Sequence, residues 1–156
     1  MTINGHVTAF GLLVFLLVGS DASDARTAAQ NRFTPVKSLT CVFPLYATGT
    51  WVEGAPRADV KPAKLSFRFE AIDTQAGTAE LDSGFSRSHV VARLSERTLH
   101  FLLVLTAGPL YTTTVFDTES RVGKLKAVHT RHEYEEISVP GFTSRPEQYY
   151  GDCEVE

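Results

Sequence analysis

Cysteine is scarce in this 156-residue chain: Cys41 and Cys153 are the only two, beside one tryptophan and one methionine. Two isolated cysteines lack the paired spacing of a structural zinc site. No apolar run reaches the roughly 18 residues that a membrane-crossing helix needs. Neither sign of charge dominates, with 15 basic and 18 acidic side chains. Such a balance gives no global reason to seek nucleic acid or an anionic membrane. Glycine-rich phosphate loops, Rossmann and Walker patterns, a Gly-x-Ser-x-Gly elbow and a His-Glu-x-x-His helix are all missing. Nothing in the sequence therefore argues for nucleotide binding, serine hydrolysis or zincin chemistry. Internal repeats and low-complexity tracts are missing too.

What is present starts with an apolar segment, Val7 to Val18. It is too short to span a bilayer comfortably and matches a signal-peptide core. Ser20-Asp21-Ala22 and Ser23-Asp24-Ala25 come next, with the small-x-small pattern of a cleavage site. The preceding region has no Lys or Arg, which keeps an uncleaved anchor open as the alternative. No cysteine lies close enough behind the segment for a lipoprotein signal. The expected organisation is a signal peptide over 1–25, a disordered leader over 26–36 and a single β domain over 37–156, in a secreted or periplasmic setting. Two cysteines in an exported chain read as a disulfide between Cys41 and Cys153. The loop closed is more than 100 residues long, which the chain-entropy model values at about 4–5 kcal/mol.

Period-two alternation dominates beyond residue 37. In Lys64 to Ile72, Leu65, Phe67, Phe69 and Ala71 share one face, and Lys64, Ser66, Arg68 and Glu70 the other. That is the pattern of a half-buried strand. Similar segments run over Ser38–Phe43, Thr48–Glu53, Thr78–Leu81, Ser86–Leu94, Thr98–Ala107, Leu110–Asp117, Lys124–Tyr134 and Gln148–Val155. Ala55 to Pro62, with a proline near each end, reads as a loop. Short connections between successive strands imply antiparallel hairpins. The fold class is all-β: an antiparallel meander of about eight strands, either a closed barrel or a strongly curled sandwich. A bridge from Cys41 on the first strand to Cys153 on the last favours closure, because their Cα atoms must lie within about 7 Å. Leu65, Phe67, Phe69, Leu99, Phe101 and Leu103 line the interior, as a packed core or as a pocket. Thr98–Ala107 is apolar on both faces, so Leu102 and Val104 need a cover. The leader, the Pro140–Pro146 segment or a second subunit are the candidates.

Two resemblances add to this reading. Gly49-Thr50-Trp51 resembles the Gly-x-Trp that opens the first strand of lipocalins, without the other lipocalin signatures; Trp51 otherwise serves as a hydrophobic plug or loop anchor. Ile72-Asp73, Gly77-Thr78-Ala79, Thr113-Thr114-x-Phe116, Ala127-Val128-His129-x-Arg131-His132 and Gln148-Tyr149-Tyr150-Gly151-x-Cys153 are similar to a set of uncharacterised small exported bacterial β-rich proteins. That resemblance implies a bacterial envelope or secreted setting and no particular activity.

Candidate chemistry centres on histidine and arginine. His129 and His132 are three apart on a strand and point to opposite faces, so one metal cannot take both. His89 and His100 lie on neighbouring predicted strands. No metal, no cofactor and no catalytic residue is expected. Glu133, Glu135 and Glu136 form a solvated acidic patch. Extending the alternation from Leu125 and Ala127 puts His129 and Arg131 inward, toward one end of the domain. These two are the candidate ligand-binding residues. Arg131 either holds the carboxylate or phosphate head of an amphipathic ligand or pairs with a nearby carboxylate.

The functional expectation is a non-enzymatic exported β-barrel that binds a small, partly apolar ligand. An envelope protein-protein interaction module is the alternative, and an exported hydrolase ranks third. The expected partners are a small amphipathic ligand and a second copy of the chain, with no nucleic acid and no membrane span after signal cleavage.

Overall fold

Residues 31–106, 108–132 and 146–156 are described by a computed structural model. Their alternation folds into eight antiparallel strands: β1 (Leu39–Val52), β2 (Ala55–Asp73), β3 (Thr78–Asp82), β4 (Arg87–Leu94), β5 (Thr98–Val104), β6 (Leu110–Glu119), β7 (Leu125–His132) and β8 (Glu147–Val155). Each pairs with the next, and β8 returns to β1, so the sheet is a closed barrel. Closure removes the open edges that an eight-stranded meander would otherwise expose. The seam is stapled: Cys41 and Cys153 are direct register partners, bonded through their sulfurs, with Cα atoms 4.0 Å apart. No helix among the described residues is long and apolar enough to cross a membrane.

Meander topology sorts the connections. Those after β1, β3, β5 and β7 lie at one end of the barrel; those after β2, β4 and β6, and both domain termini, lie at the other. The second end is sealed. Residues 32–35 form a turn, and Phe33 and Val36 are buried in the core. Asn31 Nδ2 donates to the carbonyls of Ser95 and Glu96 at 2.8 and 2.9 Å. Arg32 pairs with Glu119 at 2.8 Å. Residues 31–36, expected to belong to a disordered leader, are thus folded as a plug. Burying a phenylalanine side chain is worth about 2–3 kcal/mol, enough to hold a short polar turn in place. Residues 26–30 and the expected signal peptide lie outside the described residues.

Two further differences have local causes. Ala55–Pro62 is strand, not loop. Glu53 and Gly54 both have positive φ, 52° and 80°, the two-residue turn that matches strand twist. It folds β2 straight back on β1 as a ribbon, with Pro56 opposite Trp51 and Pro62 opposite Leu45. Secondly, Ala71 does not face inward. The β2–β3 register shifts between Glu70 and Asp73, Ala71 sits at φ 49°, and Ile72 takes the buried position instead. A bulge of this kind flips every later side chain. On β5, Leu102 is half-buried and Val104 is 71% exposed among the described residues. The Pro140–Pro146 segment, apart from Pro146 itself, lies outside the described residues.

The interior divides along its length. Near the plug it is solid: Phe69 and Phe101 stack with ring centroids 3.7 Å apart, in a core shared with the fully buried Leu39, Leu99 and Val115. Toward the other end, Leu65 and Leu103 are only half-buried, and the core gives way to space.

Candidate functional site

The space arises because β3 is short. Its pairing with β2 begins at Arg68, so the upper part of β2 has β1 as its only strand neighbour in the described register. The barrel wall parts between β2 and the β3–β4 connection. A cavity of about 530 Å³ opens there. Leu65, Phe67, Leu81, Leu103 and Leu105 supply its apolar wall, and Ser83, Ser86 and Ser88 its polar rim. Phe85 stands at the entrance, fully exposed. Lys64, His129 and Arg131 also line it, and no carboxylate among the described residues does.

His129 and Arg131 both face this cavity from β7, as the alternation required. His129 sits on the floor, 5% exposed, with its Nδ1 2.9 Å from Thr113 Oγ1. Phe67 and Phe43 lie against its ring, at centroid distances of 5.0 and 5.8 Å. Burial among these rings, helped by the Arg131 charge, pushes its pKa down to about 3. At neutral pH the floor is therefore an uncharged imidazole.

Arg131 is held rather than free. Its guanidinium lies 5.1 Å from the centroid of the Tyr149 ring and 5.9 Å from that of Tyr111. Its Nη1 is 4.0 Å from Glu147 Oε2. Glu147 is 4% exposed and accepts a hydrogen bond from the Tyr149 hydroxyl at 2.5 Å. Burial, with that bond, pushes the phenol pKa of Tyr149 well above its usual value. A buried carboxylate thus has one neutral donor and one cation, as burial of charge demands. Of the two roles open to Arg131, pairing with a carboxylate is observed; its side chain nevertheless remains 34% exposed at the cavity.

Glu147, Tyr149 and Tyr111 escape the sequence reading. A signal exists for the first two: counting back by twos from the inward Cys153 reaches Tyr149 and Glu147 on one face. The other histidines do not assemble a site. His89 is opposite Glu80 and His100 opposite Arg93, four residues apart in register. His100 lies between Thr98 and Thr114 at 2.8 and 3.0 Å. His132 is exposed, away from His129. Among the described residues no group of three His, Cys, Asp or Glu side chains is placed to hold a metal ion. The acidic patch of Glu133, Glu135 and Glu136 lies outside the described residues.

Compared with known proteins, the chain matches no family model, no curated protein and no solved structure.

Proposed function

We propose that this protein is a non-enzymatic binding protein that works outside the cytoplasm and takes a small, partly apolar ligand into the open end of its barrel. One observation carries the reading. The barrel is plugged at one end by Phe33, and at the other a cavity of about 530 Å³ opens between apolar walls and a polar rim. Ligand sites typically span about 300–1,000 Å³, mostly apolar, with a few placed polar groups. The Cys41–Cys153 disulfide and the apolar segment Val7–Val18 support the secreted or periplasmic setting. Native mass spectrometry and an environment-sensitive naphthalene sulfonate dye test the reading. A retained small-molecule adduct, or dye binding that Leu103→Trp abolishes, is the expected result. A bare mass with no dye uptake by folded protein would overturn it.

A second reading, an interaction module in the envelope, has its own observation. Where β1 from Leu45 to Trp51 pairs with β2 from Pro56 to Pro62, the outward positions are uncharged, among them Leu45, Ala47, Trp51, Pro56, Val60 and Pro62. Tyr150 on β8, opposite Leu45, extends the face. Leu45, Trp51, Val60 and Tyr150 are exposed. Such a face carries no like-charge repulsion against its own copy. Sedimentation of the parent beside Trp51→Glu separates the two readings. A dimer that this substitution dissociates favours the module, and a concentration-independent monomer removes it.

A further inference from the structure

The charges around the cavity narrow the class of ligand, an inference that rests on the ligand-binding reading of this space. Three titratable side chains with nitrogen heads line it, Lys64, His129 and Arg131, and none of the described lining residues is a carboxylate. His129 is neutral on the floor, so the deep part takes an uncharged group. Both cations belong to the approach: Lys64 is exposed on β2 and Arg131 is partly exposed on β7. Lys64 makes no ion pair among the described residues. Arg131 is fixed from behind by Glu147 and flanked by two tyrosine rings, so its guanidinium is already oriented before a ligand arrives. A planar, pre-positioned guanidinium is suited to a carboxylate, which it meets with two parallel hydrogen bonds. Glu147 offsets part of the Arg131 charge, leaving a site that balances one negative charge rather than two.

Size limits the rest of the ligand. At about 30 Å³ for each, as for water in the liquid, 530 Å³ corresponds to roughly 18 non-hydrogen atoms. That accommodates one aliphatic chain or a small ring system and excludes a two-chain lipid. We propose that the ligand is a single-chain amphipathic monocarboxylate, its head held by Arg131 and Lys64 and its apolar body among Leu65, Phe67, Leu81 and Leu103.

Calorimetric titration with three probes of equal chain length tests this: tetradecanoate, tetradecanol and tetradecyltrimethylammonium, each below its micelle concentration. The carboxylate should bind at least about tenfold more tightly than the alcohol, as one charge-assisted bidentate contact supplies. The cation should bind weakest. Arg131→Gln should erase the preference, and Arg131→Lys should keep only part of it. Because Arg131→Gln leaves Glu147 with less compensation, Arg131→Gln/Glu147→Gln is measured alongside, with circular dichroism to establish folding. Equal affinity for carboxylate and alcohol would overturn the head-group assignment while leaving the cavity reading intact. Preference for the cation would overturn it too. If none of the three binds and the dye is also excluded, the cavity reading fails with it. A preference for carboxylate that survives in the folded double variant would remove Arg131 from the assignment and so reject the proposal.

Discussion

Arg131 and Glu147 are register partners on β7 and β8, and their charged atoms lie 4.0 Å apart with the carboxylate almost wholly buried. The pair joins the cavity surface to the barrel's interior. Removing either member has unequal consequences. Arg131→Gln leaves a buried carboxylate with the Tyr149 hydroxyl as its remaining donor, and should destabilise the fold by about 1–3 kcal/mol. Glu147→Gln leaves a partly exposed cation that water can solvate, and should cost less. Urea unfolding of both variants checks the order; equal losses would mean that the pair is not what satisfies Glu147.

His129 makes the fold sensitive to mild acid. Its pKa is lowered from 6.5 to about 3 in the folded protein. Between those values the unfolded chain binds a proton that the folded one does not. Stability therefore rises with pH across this window, and acidification from pH 6.5 toward 3 erodes it, by up to about 1.4 kcal/mol per pH unit. Asp73, whose pKa is lowered by the backbone N–H groups of Ala76 and Gln75, loses its contribution only below about pH 3.8, its unfolded value. Thermal melts from about pH 7.5 down to about pH 4.5 thus separate the histidine from Asp73. His129→Gln should flatten the dependence, and an unchanged slope would contradict the burial.

The disulfide closes the β1–β8 seam across a sequence separation of 112 residues. Cys41→Ser/Cys153→Ser should lose about 4–5 kcal/mol if chain entropy governs, and less if the paired strands hold structure in the unfolded state. Peptide maps with and without reductant check the linkage itself. Two freely alkylated thiols in native material would refute it.

Phe33 plugs the sealed end. Phe33→Ala should cost about 3–5 kcal/mol, the range for a fully buried phenylalanine. It should also raise protease sensitivity near residue 31 without touching the cavity. The cheap check is limited proteolysis with mass mapping, beside dye binding, which should stay at the parental level.

Much of the fold is legible in the sequence because a strand's side chains alternate with a period of two. That periodicity gives strand identity, and the inward faces of Leu65, Phe67, Phe69, Leu99, Phe101, His129 and Arg131, from local information alone. The cysteine pair then supplies the one long-range contact needed for closure, since Cys41 and Cys153 can bond only if the terminal strands are neighbours. Where a bulge interrupts the period, local reading fails: alternation turns Ala71 inward, and Ile72 takes its place. Ribbon residues 55–62 are hidden for another reason. Both faces of that ribbon are exposed, so no burial pattern marks it, and its prolines mimic a loop.

Tertiary structure alone decided the rest. Whether Phe33 is leader or plug depends on the hole left at the barrel's end, which no segment specifies locally. Gly151 is required where any side chain would strike the Val42 carbonyl, a proximity set by the β1 bulge. The partnership of Arg131 with Glu147 and the cavity beside it depend on the summed register of eight strands and on the shortness of β3. Alternation determines which way each side chain points. Only the closed barrel determines what it meets there.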